Sequence, residues 1–184
     1  HGFGVLGQQG RGSLHAVQHD SMCSPHVIYM ATLGKAAGVF GAFVAAQPEV
    51  IETLIQSAHS YIYTTATPSL LSHALLTSLR LIEQDQWRRD ALTQNITLLQ
   101  QATRTLPWKL LPSTTPIQPL LIGDSVAAVR ISQALRERGI LVPAIRPPTV
   151  PKGMARLRIS LSATHQQQDI ARLVGVLKEL ALHA

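Results

Sequence analysis

Between about residue 70 and about residue 103, apolar residues return at steps of three to five, with Gln, Arg and Asp between them: Leu75, Leu79, Ile82, Trp87, Leu92, Ile96 and Leu99. That spacing lays a single stripe along a helix and predicts a long amphipathic segment that must bury the stripe. It also divides the chain, because the sequence on either side follows different rhythms. The Leu106-Pro107-Trp108 sequence stops the helical pattern, since proline has no N–H to donate and disfavours helical backbone in the residue before it. A domain boundary is expected there, giving residues 1–105 and residues 106–184.

Upstream of the helix, residues 26–32 (HVIYMAT) form a short β-rich apolar run that suits a buried strand. Residues 39–46 read as a second strand after a Gly-Lys-Ala-Ala-Gly turn. Pro48 is placed to open a helix, because a missing N–H costs little in the first turn, and Ile51, Leu54 and Ile55 supply its apolar face. Residues 61–69 (YIYTTATPS) read as extended and stop at a proline. Downstream, residues 117–122 predict a strand, and the Asp124 carboxylate can cap the helix that follows. That helix carries Val126, Val129, Ile131 and Leu135, and should end at Gly139, which tolerates a left-handed stop. Residues 140–145 and 155–161 predict two further strands joined by the stiff loop RPPTVPKG. Thr164 with Gln167 predicts a capping box for a last helix, whose apolar face holds Ile170, Leu173, Val174, Leu177 and Leu180. Strand–helix–strand–strand–helix is a small α+β module.

Composition narrows the class. Of 184 residues 46% are hydrophobic, enough for a packed core and too many for a disordered chain. The longest apolar stretch, residues 38–46, is too short to cross a bilayer, so no membrane partner is expected. The chain has one cysteine, Cys23, so it has no internal disulfide, which suits a reducing, cytoplasmic compartment. The net charge of +6 raises the question of nucleic acid, but the arginines are scattered and only three phenylalanines and three tyrosines are present to stack on bases. No nucleic-acid partner is expected. His15, His19 and His26 have no metal-ligand spacing, and no metal is expected. An opening on His1 and a glycine-rich run is the kind of sequence expected inside a longer protein, whose other part would balance the charge.

Lys35 poses a problem of its own. It follows an apolar strand, where burial would favour a neutral amine over an ammonium. A Schiff-base enzyme needs such an amine, and Gly34, Ala36, Ala37 and Gly38 around it would let a flat ring approach the backbone. Thr32, three residues earlier, could offer a hydroxyl to a phosphate. Taken alone, Lys35 also reads as an ordinary strand-end lysine, and Thr32 as an ordinary β-branched strand residue.

Four blocks, in order, carry a family resemblance. TLGKAAGVFGAFV resembles the cofactor-lysine segment of the α-oxoamine synthases, a branch of the fold-type-I enzymes that use pyridoxal phosphate (PLP). HGFGVLGQQGRG resembles the sequence that follows the family's Asp-x-Ala-His motif. YIYTTATPS resembles the segment that reaches the cofactor of a neighbouring subunit, and IRPPTVPKGMARLRISLSATH resembles the closing substrate-binding region. The blocks spread over nearly all of the chain. Within the family, IQPLLIGD and IRPPTVP look most like the biotin-forming branch. The 5-aminolevulinate synthases and aminoketobutyrate ligases are similar but less so around the proline pair.

The resemblance implies an α/β protein: the second half of a fold-type-I large domain, followed by a small α+β C-terminal domain. It implies an acyltransferase that condenses L-alanine with a pimeloyl thioester, carried on coenzyme A or an acyl carrier protein, with loss of carbon dioxide. Lys35 would hold pyridoxal 5'-phosphate and remove the alanine Cα proton. His1 would hydrogen-bond the cofactor's phenolic oxygen, although any histidine can cap a strand end. Thr32 would bind the phosphate, and Thr65 would reach it across a homodimer interface. Ala66 stands where the family commonly has serine, which puts an extra hydroxyl contact in doubt, and Ser69 stands where a second proline is common. Thr149 would touch substrate, and Arg158 would hold the amino-acid carboxylate with its two-pronged guanidinium. In the family the aspartate that pairs with the pyridine nitrogen lies upstream of His1, so a chain beginning at His1 is expected to turn over little substrate. Another α-oxoamine synthase, or a non-catalytic pairing module, is the alternative; retention of Lys35, Thr32 and Arg158 speaks against the latter.

Overall fold

The computed structural model describes residues 2–14 and 24–182. His1, His15, His19 and Cys23 lie outside the described residues. The chain forms two compact units, His1–Gln86 and Trp87–Ala184.

The first unit opens on a tight glycine-rich loop. Gly4 N–H donates to the Gly10 carbonyl at 2.7 Å, and Gly12 N–H to the Leu6 carbonyl at 2.8 Å. Strand β1 (Tyr29–Thr32) pairs antiparallel with β2 (Ala42–Ala45), with Thr32 opposite Ala42. The two strands therefore hold the Lys35 turn between them, as the Gly-Lys-Ala-Ala-Gly pattern predicts. Helix α1 (Pro48–Ser57) begins with its proline in the first turn.

The expected extended run over residues 61–69 does not begin where its β-branched composition suggests. Tyr61 and Ile62 close the one-turn helix α2 (His59–Ile62), where both their N–H groups donate to the Ala58 carbonyl. Thr64 donates its hydroxyl to the Tyr61 carbonyl at 2.6 Å and ends the turn. Residues 64–68 belong to neither helix nor strand, and helix α3 (Ser69–Gln84) follows.

The long helix is broken. Helix α4 (Gln86–Ala102) is separated from α3 by Asp85, whose φ of −86° and ψ of 60° leave the helical region. Aspartate favours such breaks, because a short carboxylate competes with the helix for backbone N–H groups.

The second unit contains β3 (Lys109–Leu110), β4 (Ile117–Gly123), α5 (Ser125–Glu137), β5 (Ala144–Ile145), β6 (Ala155–Ser160) and α6 (Gln167–Ala181). Its antiparallel sheet has the order β3-β4-β6-β5. Gln118 and Leu120 of β4 stand opposite Ile159 and Leu157 of β6 and point inward with them. Leu99 of α4, Leu135 of α5 and Leu177 of α6 are fully buried in the same core. Asp124 caps α5 as expected, accepting from the Ala127 N–H at 2.7 Å. Gly139, at φ 74°, closes that helix in the left-handed region, where any Cβ would be strained.

Two local expectations are corrected here, and one short strand was not foreseen. The capping box of α6 joins Gln166 and Asp169, not Thr164 and Gln167, because the Asp169 carboxylate reaches back to the Gln166 N–H. Only Ala144 and Ile145 of residues 140–145 form a strand. Ile140 still donates to the Leu135 carbonyl, and Val142 accepts from the Ser132 hydroxyl, so that stretch serves the end of α5 instead of the sheet. The short strand β3 has no sequence signal of its own, since it is two residues long and defined only by pairing with β4.

Candidate functional site

In the first unit two of the candidate residues, Thr32 and Lys35, lie at the end of β1 and on the connection from it to β2. The neck of this turn is closed by two bonds. Leu33 N–H donates to the Gly41 carbonyl at 2.8 Å, and Val39 N–H donates to the Leu33 carbonyl at 3.0 Å. A third bond, from Gly38 N–H to the Lys35 carbonyl at 3.0 Å, shapes the tip. Leu33, Ala37 and Val39 are buried, which anchors the turn through alternate side chains. Lys35 itself is exposed. This corrects the expectation of a lysine buried against an apolar strand: the strand ends at Thr32, and the lysine projects from the tip beyond it.

Thr32 differs from Lys35. Its Oγ1 is buried and has no hydrogen-bond partner among the described residues. A buried hydroxyl without a partner costs on the order of 1–3 kcal/mol, so the position favours an incoming hydrogen-bonding group. Space for one exists nearby: a Cβ built at Gly34 or at Gly38 would meet nothing within 4 Å. An orphaned hydroxyl, an exposed amine and an uncovered glycine backbone on one turn fit a flat, phosphate-bearing aldehyde such as pyridoxal phosphate. Thr65 lies in the irregular stretch before α3 and is exposed. His1 lies outside the described residues. Burial raises the Tyr29 hydroxyl above its ordinary pKa, and that hydroxyl donates to the Arg11 carbonyl at 3.3 Å, a structural tie of the glycine-rich loop to β1.

In the second unit Arg156, Arg158 and Ser160 share the outer face of β6, as the alternation of that strand requires. Arg156 is half-buried and spends its Nε–H on the Met154 carbonyl at 3.0 Å. Arg158 is exposed, and its guanidinium has no partner among the described residues. Of the two, Arg158 is the one whose guanidinium donors are all uncommitted among the described residues. Thr149 is exposed in the proline loop, where its N–H donates to the Arg146 carbonyl at 3.1 Å and the Pro147-Pro148 bond is cis. Among the described residues no group of three or more His, Cys, Asp or Glu could hold a metal ion, and no helix is long and apolar enough to cross a membrane.

One contact had no signal in the sequence. Ser78 of α3 donates its hydroxyl to the Ala37 carbonyl at 2.7 Å across 41 residues of chain. An isolated serine in an amphipathic helix gives no hint of such a partner.

The family model for aminotransferase class I and II matches residues 1–177. The chain belongs to that family. An 8-amino-7-oxononanoate synthase of Nitrosomonas eutropha is 65% identical over 181 residues, which are 98% of this chain and 47% of the relative. Among solved structures, 8-amino-7-oxononanoate synthase of Francisella tularensis superposes with a TM-score of 0.86 at 31% identity, covering 100% of this chain and 53% of its own. A serine palmitoyltransferase from S. paucimobilis, with a bound PLP–myriocin aldimine, superposes with a TM-score of 0.85 at 25% identity, over 97% of this chain and 45% of that one. The chain thus spans about half the length of the relatives it matches. The α/β, fold-type-I architecture expected from the sequence is the architecture of this aminotransferase class I and II chain.

Proposed function

We propose that this chain belongs to a pyridoxal-phosphate-dependent acyltransferase that joins L-alanine to a pimeloyl thioester, with loss of carbon dioxide, to give 8-amino-7-oxononanoate for biotin synthesis. The observation that carries the reading is the 65% identity to an 8-amino-7-oxononanoate synthase across almost the whole chain. The orphaned Thr32 hydroxyl on the Lys35 turn supports it independently.

When bound, pyridoxal phosphate supplies the electron sink that lets an amino acid lose its Cα proton. The chain's own residues do the rest. With the cofactor bound, the Lys35 Nζ would hold it covalently and would serve as general base for the alanine Cα proton. The Thr32 Oγ–H would donate to the cofactor phosphate, and Thr65 would reach the phosphate of a second copy in a homodimer. His1 donates to the phenolic oxygen. Arg158 grips the alanine carboxylate through two parallel N–H donors and so fixes which Cα bond lies in position to break. Thr149 orients the substrate from a loop stiffened by three prolines. In the complete enzyme, residues 1–105 belong to the large domain and residues 106–184 to the small one. Turnover is proposed to need groups that the relatives carry in the part of their length this chain does not span.

The test is covalent. The protein is mixed with pyridoxal 5'-phosphate, reduced with borohydride and digested. A pyridoxyl group on Lys35, absent in Lys35→Ala, is the expected result, together with loss, in the full-length enzyme carrying Lys35→Ala, of alanine-dependent thiol release from pimeloyl thioester. A label on another lysine, or substantial turnover by Lys35→Ala, would sink the reading.

A further inference from the structure

We infer that Ser78 is a positioning residue for Lys35, acting through the Ala37 carbonyl that its hydroxyl holds. The inference rests on reading Lys35 as the cofactor lysine.

The bonds at the neck of the turn join it to its own strands, but they do not tie its tip to anything else. Two contacts do. The Ser78 Oγ–H donates to the Ala37 carbonyl at 2.7 Å, from a half-buried position on α3. Gly4, at φ 82°, packs so close that a Cβ there would lie 2.7 Å from the Ala36 Cβ. Ala36 and Ala37 are the two residues that follow Lys35, so both contacts act beside the lysine's own Cα.

The choice of partner by Ser78 carries the argument. A hydroxyl inside a helix ordinarily bonds back to the carbonyl four residues earlier. Thr53, Thr93 and Thr97 do so, with Glu49, Arg89 and Thr93. Thr77, the immediate neighbour of Ser78, does the same with His73. Ser78 instead directs its hydroxyl out of the helix to the cofactor turn. A group that must first hold an aldehyde and then meet a Cα proton is sensitive to such placement; a shift of about 1 Å can cost roughly a hundredfold in rate.

Ser78→Ala suits the helix and should fold. In the holoenzyme it is expected to lower kcat by about tenfold or more, with KM for alanine little changed. It should also move the pH midpoint at which the bound cofactor's visible band changes, a property that depends on where the Lys35 amine sits. Ser78→Thr keeps the hydroxyl and should restore both. A Ser78→Ala holoenzyme with unchanged kcat and band titration would overturn the inference, as would a Ser78→Thr variant as impaired as Ser78→Ala. Borohydride trapping on the unmodified protein separates the two levels. If Lys35 carries the label yet Ser78→Ala behaves normally, only the positioning role fails; if Lys35 carries none, the reading beneath it fails as well.

Discussion

At the scale of single residues, Thr32 and Lys35 show how much three positions of separation matter. Both looked ambiguous in the sequence, one as a β-branched strand residue and the other as a strand-end lysine. Among the described residues the Thr32 hydroxyl is buried without a partner, and the lysine is out in the open. Thr32→Val removes that hydroxyl while keeping the shape. The apoprotein should be as stable or slightly more so in a denaturant titration, because an unsatisfied buried group is gone. Binding of pyridoxal 5'-phosphate should weaken about 10- to 100-fold, the equivalent of one hydrogen bond to a charged group. A variant that binds the cofactor as tightly as before would remove Thr32 from the phosphate site. Arg156 and Arg158 were equally basic on paper, and alternation along β6 put them on the same face. What separates them is the Met154 carbonyl, which occupies Arg156 Nε; no property of the two-residue spacing announces that bond.

At the scale of elements, the starts and stops that depend on one local side chain were legible. Asp124 caps α5, Gly139 ends it, and Pro48 opens α1. Where several neighbours competed for the same role, the sequence chose less well, as with Gln166 and Asp169 taking the capping box and Asp85 breaking the long helix. Pieces defined by a distant partner were not legible. The loop before β4 is one such piece, held by Gln118, which is fully buried. Its Nε2 donates to the Thr115 carbonyl at 2.7 Å and the Ser113 carbonyl at 3.1 Å, and its Oε1 accepts from Gln100 at 3.2 Å. A buried amide with this much satisfied is a fixed point of the fold. Gln118→Leu should cost about 1–3 kcal/mol in urea unfolding, because the Thr115 carbonyl loses this donor and Gln100 loses an acceptor at once; a change within a few tenths would mean water replaces it. Asn95 of α4 does similar work on the loop after β6, donating to the His165 carbonyl at 2.8 Å.

At the scale of the whole molecule, the two compact units are unequally furnished. The second has a continuous core from α4, α5, α6 and the inner face of its sheet. In the first, none of α1, α2 and α3 has a buried residue, and Met30, Phe40, Leu70 and Tyr63 are largely exposed. Apolar area removed from water is the main source of stability, at about 25 cal/mol per Å², so local opening should be cheaper in the first unit. Hydrogen exchange on the 184-residue chain should therefore show stronger protection in β4, β6 and α6 than in α1, α2 and α3. Equal protection in both sets would contradict this distribution of burial. The sequence by itself determined the family resemblance, the main strands and helices, the helix ends with a local cap and the turn that carries Lys35. These depend on backbone preferences and periodicities that act within a few residues. Only the tertiary structure decided that Thr32 has no partner among the described residues, that Arg156 has one, and that Ser78 holds the Ala37 carbonyl. A hydrogen bond depends on where two groups meet in space, and a side chain carries no mark of a partner 41 residues away.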